Sequence, residues 1–380
     1  MPTIVISAVN IVEGGMLKVL QDCLHAVRVS LPDWRVIALV NNEGVVNVEG
    51  VEAIPIPHAK KSWLRRVYTE YVTFNRISKD INADIWWSLH DMSPRVQAKS
   101  QFVYCHNCAP FTKFSIRELA VEPTLIMFST IYSLFYRINI KSNLAVIVQQ
   151  NWLRLKFEQR YGVDNVIVAH PIEEQIGCEL SITGPISTFV YPSLPRVFKN
   201  FELICEAASL LEARGDWNGR ILLTIAPDEN RLTRNLFERY GKVSGIHFIG
   251  RQNRAAMTQL YGEMDCLLFP SRLETWGLPI TEAKSLGKPM IVADLPYAHE
   301  TAGTYGHVRF VDPRDPHALA DMMLVSHRDG WASCPVVAEP IPAPFADSWP
   351  QLVRTVVALH ESRNRTSELY RTHHTLAPDR

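Results

Sequence analysis

One stretch of this chain limits its fold more than any other: FPSRLETWGLPITEAKSLGKPMIVAD, beginning at Phe269. The apolar run Leu267–Ser271 reads as a buried parallel strand that ends in a turn. Pro279 then stands near a helix start, where its missing N–H costs nothing. The helix runs through ITEAKSLGK and stops at Gly287, with Lys288 and Pro289 behind it, before PMIVAD forms the next strand. This places Glu274 on a strand-to-helix loop and Glu282, eight positions later, about one turn into the helix. Both therefore face the carboxyl edge of a parallel sheet, where open α/β folds bind ligands. Gly277 lets a ligand approach the backbone, and the free N–H groups of the helix start favour a phosphate. Two carboxylates that accept from hydroxyls, with an anion site between them, suit a nucleotide sugar.

The rest of the chain repeats this alternation in two series. The first contains the strands TIVISAV, WRVIALVNN, ADIWWSL, QFVYCHN, NLAVIVQQ and NVIVAH, with helices such as MLKVLQDCLHAVRVSL and NWLRLKFEQRYG between them. After the turn-rich stretch Pro171–Pro185 the second series runs ISTFVYPS, RILLTIA, IHFIG and LLFPS, each followed by a helical segment. At 380 residues and 47% hydrophobic, the chain can fill two cores. The expected domains are 1–170 and 187–345, joined by a linker at 171–186. A last helix is expected at 346–365, and the tail 366–380 is polar.

Composition excludes several classes. Formal net charge is +0, so the molecule as a whole is not a polyanion binder, and no nucleic-acid motif is present. Seven scattered cysteines fit a reducing cytoplasm better than a disulfide framework, and the lone CxxC at Cys105 and Cys108 lacks a second pair at zinc spacing. MPTIVISAV has no basic leader region, and Thr124–Tyr136 is too short to span a bilayer. Between residues 60 and 160, fifteen Lys or Arg stand against seven Asp or Glu. Within Lys60–Lys79, Trp63, Val67, Tyr71 and Phe74 recur at helical spacing beside Lys61, Arg65, Arg66 and Arg76. Such a face suits an anionic membrane surface or an anionic acceptor, and equally a core-facing helix with a solvated basic side.

The pattern FPS…E..G.P..EA…G.P…A resembles the retaining glycosyltransferases of family 4, also called glycosyl transferases group 1. That resemblance implies the GT-B fold, two Rossmann-like parallel-sheet domains facing across a cleft, with the helix at 346–365 returning to pack on the first domain. It implies a hexosyltransferase that retains anomeric configuration and moves a sugar from a nucleotide sugar to a glycan or lipid-linked acceptor, as in bacterial surface polysaccharide synthesis. It also implies a cytoplasmic enzyme, with the inner face of the membrane as a working surface. No two Asp are separated by a single residue, so no DxD metal site is expected, and neither metal nor cofactor is required.

The resemblance carries residues into roles. Glu274 falls to the donor sugar's hydroxyls and Glu282 to the ribose, with Thr275, Trp276, Gly277 and Leu278 lining the donor between them. Lys199 matches the family's phosphate-binding Lys. The Arg expected five residues before it is Leu194, so Arg196 is assigned the second charge. Gly14 and Gly15 match a glycine pair near the donor phosphates, and Arg251 follows the strand whose loop reads the base. His106, ending QFVYCH, fits the His that touches the donor sugar near the reacting carbon. His90 and Asp91 end a neighbouring strand and are acceptor-side candidates. Three other readings stay open: a nucleotide-sugar epimerase, an inverting GT-B enzyme and a non-catalytic GT-B subunit.

Overall fold

A computed structural model describes residues 1–12, 14–171, 184–215 and 217–375. The linker expected at 171–186 falls largely outside them. The chain divides into two compact units. One holds residues 1–107, 130–173 and 341–380, and the other holds 108–129 and 174–340.

The first unit contains strands β1 (Thr3–Ala8), β2 (Arg35–Val40), β3 (Val51–Pro55), β4 (Ala83–Ser88), β5 (Ala98–Cys105), β6 (Ala145–Val148) and β7 (Val166–Ala169). The second contains β8 (Thr188–Tyr191), β9 (Arg220–Leu223), β10 (Ile246–Phe248), β11 (Cys266–Phe269), β12 (Met290–Ala293) and β13 (Val308–Val311). A last two-residue strand, β14 (Phe345–Ala346), returns to the first unit. The two sheets run β14-β7-β6-β5-β4-β1-β2-β3 and β10-β9-β8-β11-β12-β13, and all strand pairs in both are parallel.

Both sheets are covered on their two faces, which explains continuous apolar strands such as VIALV and LLF. Every residue of β1, β6, β7, β8, β11 and β12 is buried. The first core joins Leu20, Leu24 and Val27 of helix Gly14–Ser30 to Leu352, Val353 and Val356 of helix Trp349–Thr375. Trp349 stacks on Tyr104 with centroids 5.6 Å apart, and its indole N–H donates to Pro171 O at 3.1 Å.

In each sheet the strand order reverses once. The chain steps outward from β1 to β3 and then places β4 on the other side of β1; likewise it runs β8 to β10 and then places β11 beside β8. Loops leaving the carboxyl ends of such a strand pair splay apart and leave a crevice. The β8/β11 reversal receives the loops of Lys199 and Glu274, and the β1/β4 reversal receives those of Gly14–Gly15 and His90–Asp91.

The basic stretch 60–79 is not one regular helix. Helix Trp63–Tyr68 passes through a π-turn at Thr69–Thr73 into helix Phe74–Ile81. One residue assigned to its solvated face is misplaced: Arg66 is buried. It donates to Tyr132 Oη at 2.9 Å and to His90 O at 3.0 Å.

Candidate donor site and comparisons with known proteins

In the second unit the β8 loop ends in a single 3-10 turn, Val197–Lys199, before helix Phe201–Arg214. Asn200 joins the two in the left-handed region, φ 61°, which Asn tolerates better than most residues. Its side-chain amide donates to Pro313 O at 2.8 Å and to Pro270 O at 3.2 Å, tying the β8 loop to the β11 loop. Arg272 adds two more ties. Its backbone N–H donates to Phe198 O at 2.8 Å, and its Nη2 donates to Val197 O at 2.9 Å.

These ties fix Lys199 against Glu274. Lys199 Nζ donates to Glu274 Oε1 at 2.5 Å. The ammonium also lies 5.5 Å from the Phe269 ring centroid and 5.7 Å from that of Phe198, within range of cation–π attraction. Burial, and after it the charge of Glu274, push the hydroxyls of Tyr191 and Tyr297 well above the usual tyrosine range. Glu274 thus stands against an aromatic wall.

Gly277 follows at φ 92°, where a side chain would be strained. A Cβ there would also come within 3.3 Å of Ile280 and 3.4 Å of Phe269. Helix Leu278–Ser285 starts immediately after it, with Pro279 in its first turn. Trp276 is buried, and its indole donates to Thr281 Oγ1 at 2.9 Å, so it braces this helix start. Thr275 and Leu278 are partly exposed. Glu282 is exposed on the helix, and its Oε2 accepts from Tyr261 Oη. Burial and then Glu282 raise that phenol. Tyr261 escaped the sequence reading because it lies on a different helix, Arg254–Glu263, with no local motif.

Two assigned cations carry partners of their own. Arg251 pairs with Glu229 at 2.8 Å at the β10 edge while staying 69% exposed. Arg196 pairs with Glu122. Segment 108–129, read from sequence with the first domain, packs in the second unit and brings Glu122 there.

In the first unit helix Gly14–Ser30 begins at the glycine pair itself. Asp91, φ 67°, accepts from the N–H groups of His106 (2.6 Å) and Asn107 (2.9 Å) and from Tyr136 Oη (2.8 Å). His106 Nε2 lies 2.7 Å from Leu89 O. Burial lowers the His106 pKa from its usual value, against the opposing charge of Asp91. His90 is buried, with Nδ1 3.3 Å from Glu70 Oε1 and 3.3 Å from Arg66 Nη2. Buried His90 and Asp91 hold the strand-end loops, while His106 keeps partial exposure. Among the described residues no group of three or more His, Cys, Asp or Glu is arranged to hold a metal. No described helix is long and apolar enough to cross a membrane.

Two Rossmann-like parallel sheets of eight and six strands, the second with its paired Lys and Glu at the reversal, define the GT-B glycosyltransferase fold. Residues 173–325 match the family model described as "Glycosyl transferases group 1". An O-antigen chain mannosyltransferase B of Escherichia coli is 32% identical over 94 residues, which cover 25% of this chain and 24% of that protein. A D-inositol 3-phosphate glycosyltransferase of Corynebacterium urealyticum is 26% identical over 167 residues, covering 42% of this chain and 39% of its own. The sucrose-phosphate synthase of Thermosynechococcus elongatus shares the fold over 99% of this chain and 100% of its own, with a TM-score of 0.58 and 15% identity.

Proposed function

We propose that the protein is a retaining glycosyltransferase that moves a hexose from a nucleotide sugar to a glycan or lipid-linked acceptor in surface polysaccharide synthesis. The observation that carries this is the Lys199–Glu274 pair at the β8/β11 reversal, beside a helix start, within the residues that match the glycosyl transferases group 1 model. Glu274 accepts from the donor sugar's hydroxyls and Glu282, backed by Tyr261, from the ribose. Thr275, Gly277 and Leu278 line the donor, Arg251 stands at the base end, and Gly14–Gly15 and His106 are the first unit's candidates for phosphate and sugar.

In the reaction the bond from the anomeric carbon to the diphosphate oxygen breaks, giving oxocarbenium character at that carbon. Lys199 and Arg196 meet the growing charge on the diphosphate. The departing phosphate takes the acceptor hydroxyl's proton as the acceptor oxygen bonds from the same face. The residues need no metal for these steps.

The enzyme is further proposed to work at the cytoplasmic face of an anionic membrane. On helix Trp63–Tyr68, Leu64 is 80% exposed and Tyr68 is also exposed, beside exposed Lys60, Lys61 and Arg65. With Arg66 buried, the basic face to test is Lys61→Glu with Arg65→Glu. That double variant should bind anionic vesicles less well than the parent, with the difference shrinking at high salt. Equal flotation would leave the face a solvated surface.

A panel of nucleotide sugars screened by thermal stabilisation identifies the donor, since a ligand that binds only the folded state raises its stability. Transfer with NMR analysis of the product then reads the anomeric configuration. Inversion, or an epimerised donor formed without acceptor, would refute the assignment.

A further inference from the structure

Helix Ile116–Val121 belongs to the second unit, although the chain on either side of it, up to Asn107 and from Thr130, belongs to the first. It is a short helix closed by a capping box between Ser115 and Glu118. Three arginines hold this segment. Arg272 Nη2 bonds Glu118 Oε1, Arg196 Nη1 bonds Glu122 Oε1, and Arg231 Nη1 donates to Ala120 O at 3.0 Å. The second oxygen of Glu122 accepts from the backbone N–H of Val197 at 3.2 Å.

That set of donors is unusual for a surface ion pair. Two guanidinium groups and the Val197 backbone N–H converge on the turn Val197–Lys199, with the Lys199 ammonium on the same turn. This is the donor chemistry that phosphoryl oxygens take. The carboxylates that occupy it are well covered, 14% exposed for Glu122 and 16% for Glu118. Burial works against the Glu118 carboxylate, but Ser115 and Arg272 more than offset it and hold its pKa below the usual range.

We propose that Glu122 and Glu118 are an internal stand-in for the donor's diphosphate, occupying Arg196, the Val197 N–H and Arg272, which the nucleotide takes over by displacing segment 116–122. This rests on the reading that turn 196–199 receives the diphosphate. It adds Arg272 to the phosphate ligands and makes the segment an acidic latch. Because only chains with the latch released bind at full strength, apparent affinity is reduced by that fraction.

The test is calorimetric titration of UDP and of GDP, both tried because the base is unassigned, into the full chain and into Glu118→Gln, Glu122→Gln and the double variant. Neutralising the latch should lower Kd, by about 5- to 50-fold in the double variant, within the usual span of coupling between sites. In the parent chain, nucleotide should speed amide hydrogen exchange across Ile116–Glu122. Unchanged or weakened binding, with exchange in the segment unaltered, would make the helix a structural brace and overturn the proposal. If the parent binds UDP or GDP but Arg196→Ala and Lys199→Ala bind it equally well, the reading of the turn itself falls.

Discussion

Lys199 and Glu274, 75 positions apart, meet at 2.5 Å where the strand order of the second sheet reverses. In water such a pair is worth little, but this one sits among Phe198, Phe269, Tyr191 and Tyr297, where water screens it less. Each residue fixes the other before substrate arrives. Lys199→Ala should therefore lower turnover by roughly 10²–10³, the usual loss of one preorganised electrostatic group. Its melting temperature should stay within a few degrees of the parent's. Near-normal turnover would remove Lys199 from the reaction.

Arg196→Ala tests whether this residue replaces the Arg absent at Leu194. Its Nη1 now sits on Glu122, so the loss should appear in turnover only if the guanidinium transfers to the diphosphate. A loss comparable with that of Lys199→Ala is expected, and normal kcat would exclude the replacement.

Glu282→Ala should weaken nucleoside diphosphate binding by at most roughly 1.5–3 kcal/mol for each charge-assisted bond lost. Tyr261→Phe removes only the phenol that orients the carboxylate, so its effect should be smaller. Titration calorimetry with the free nucleoside diphosphate measures both. Unchanged affinity in Glu282→Ala would end its ribose assignment.

Glu70 gives a pH-dependent test of the first unit. Burial, opposed by Arg66 and assisted by Asp91, raises its pKa from 4.5 to about 8. Between those values the folded chain holds a proton that the unfolded chain has released. The contribution is therefore fully present below about pH 4.5 and is lost as pH rises through about 8, at most about 1.4 kcal/mol per pH unit. Glu70→Gln keeps the neutral shape, so its urea midpoint should match the parent's at pH 5 and exceed it at pH 8.5. An equal difference at both pH values would contradict this.

Trp349→Ala should destabilise the first unit by about 3–5 kcal/mol, because it empties the place of a large buried ring stacked on Tyr104. Denaturant unfolding measures it, and a shift under about 1 kcal/mol, the range of surface changes, would show that the helix is dispensable.

The two parallel sheets are legible in the residues alone. Period, turn residues and continuous apolar runs are local signals, and they located β1, β2, β4 to β12 and the helix start after Gly277. Strands β3, β13 and β14 escaped because VEAIP has no fully buried position, VRFV is fully buried only at its two ends and FA is only two residues long. The resemblance in FPSRLETWGLPITEA likewise marked Glu274, Gly277 and Glu282 without coordinates. Which side chains meet follows instead from the folding of distant segments onto one another. Tyr261 reaches Glu282, Arg66 turns inward to Tyr132 and His90, and Glu118 and Glu122 cross from the middle of the first series onto Arg272 and Arg196. Spacing along one element fixes the face a residue occupies, but charge pairing between distant elements depends on where the chain brings them together. A local pattern carries no information on that.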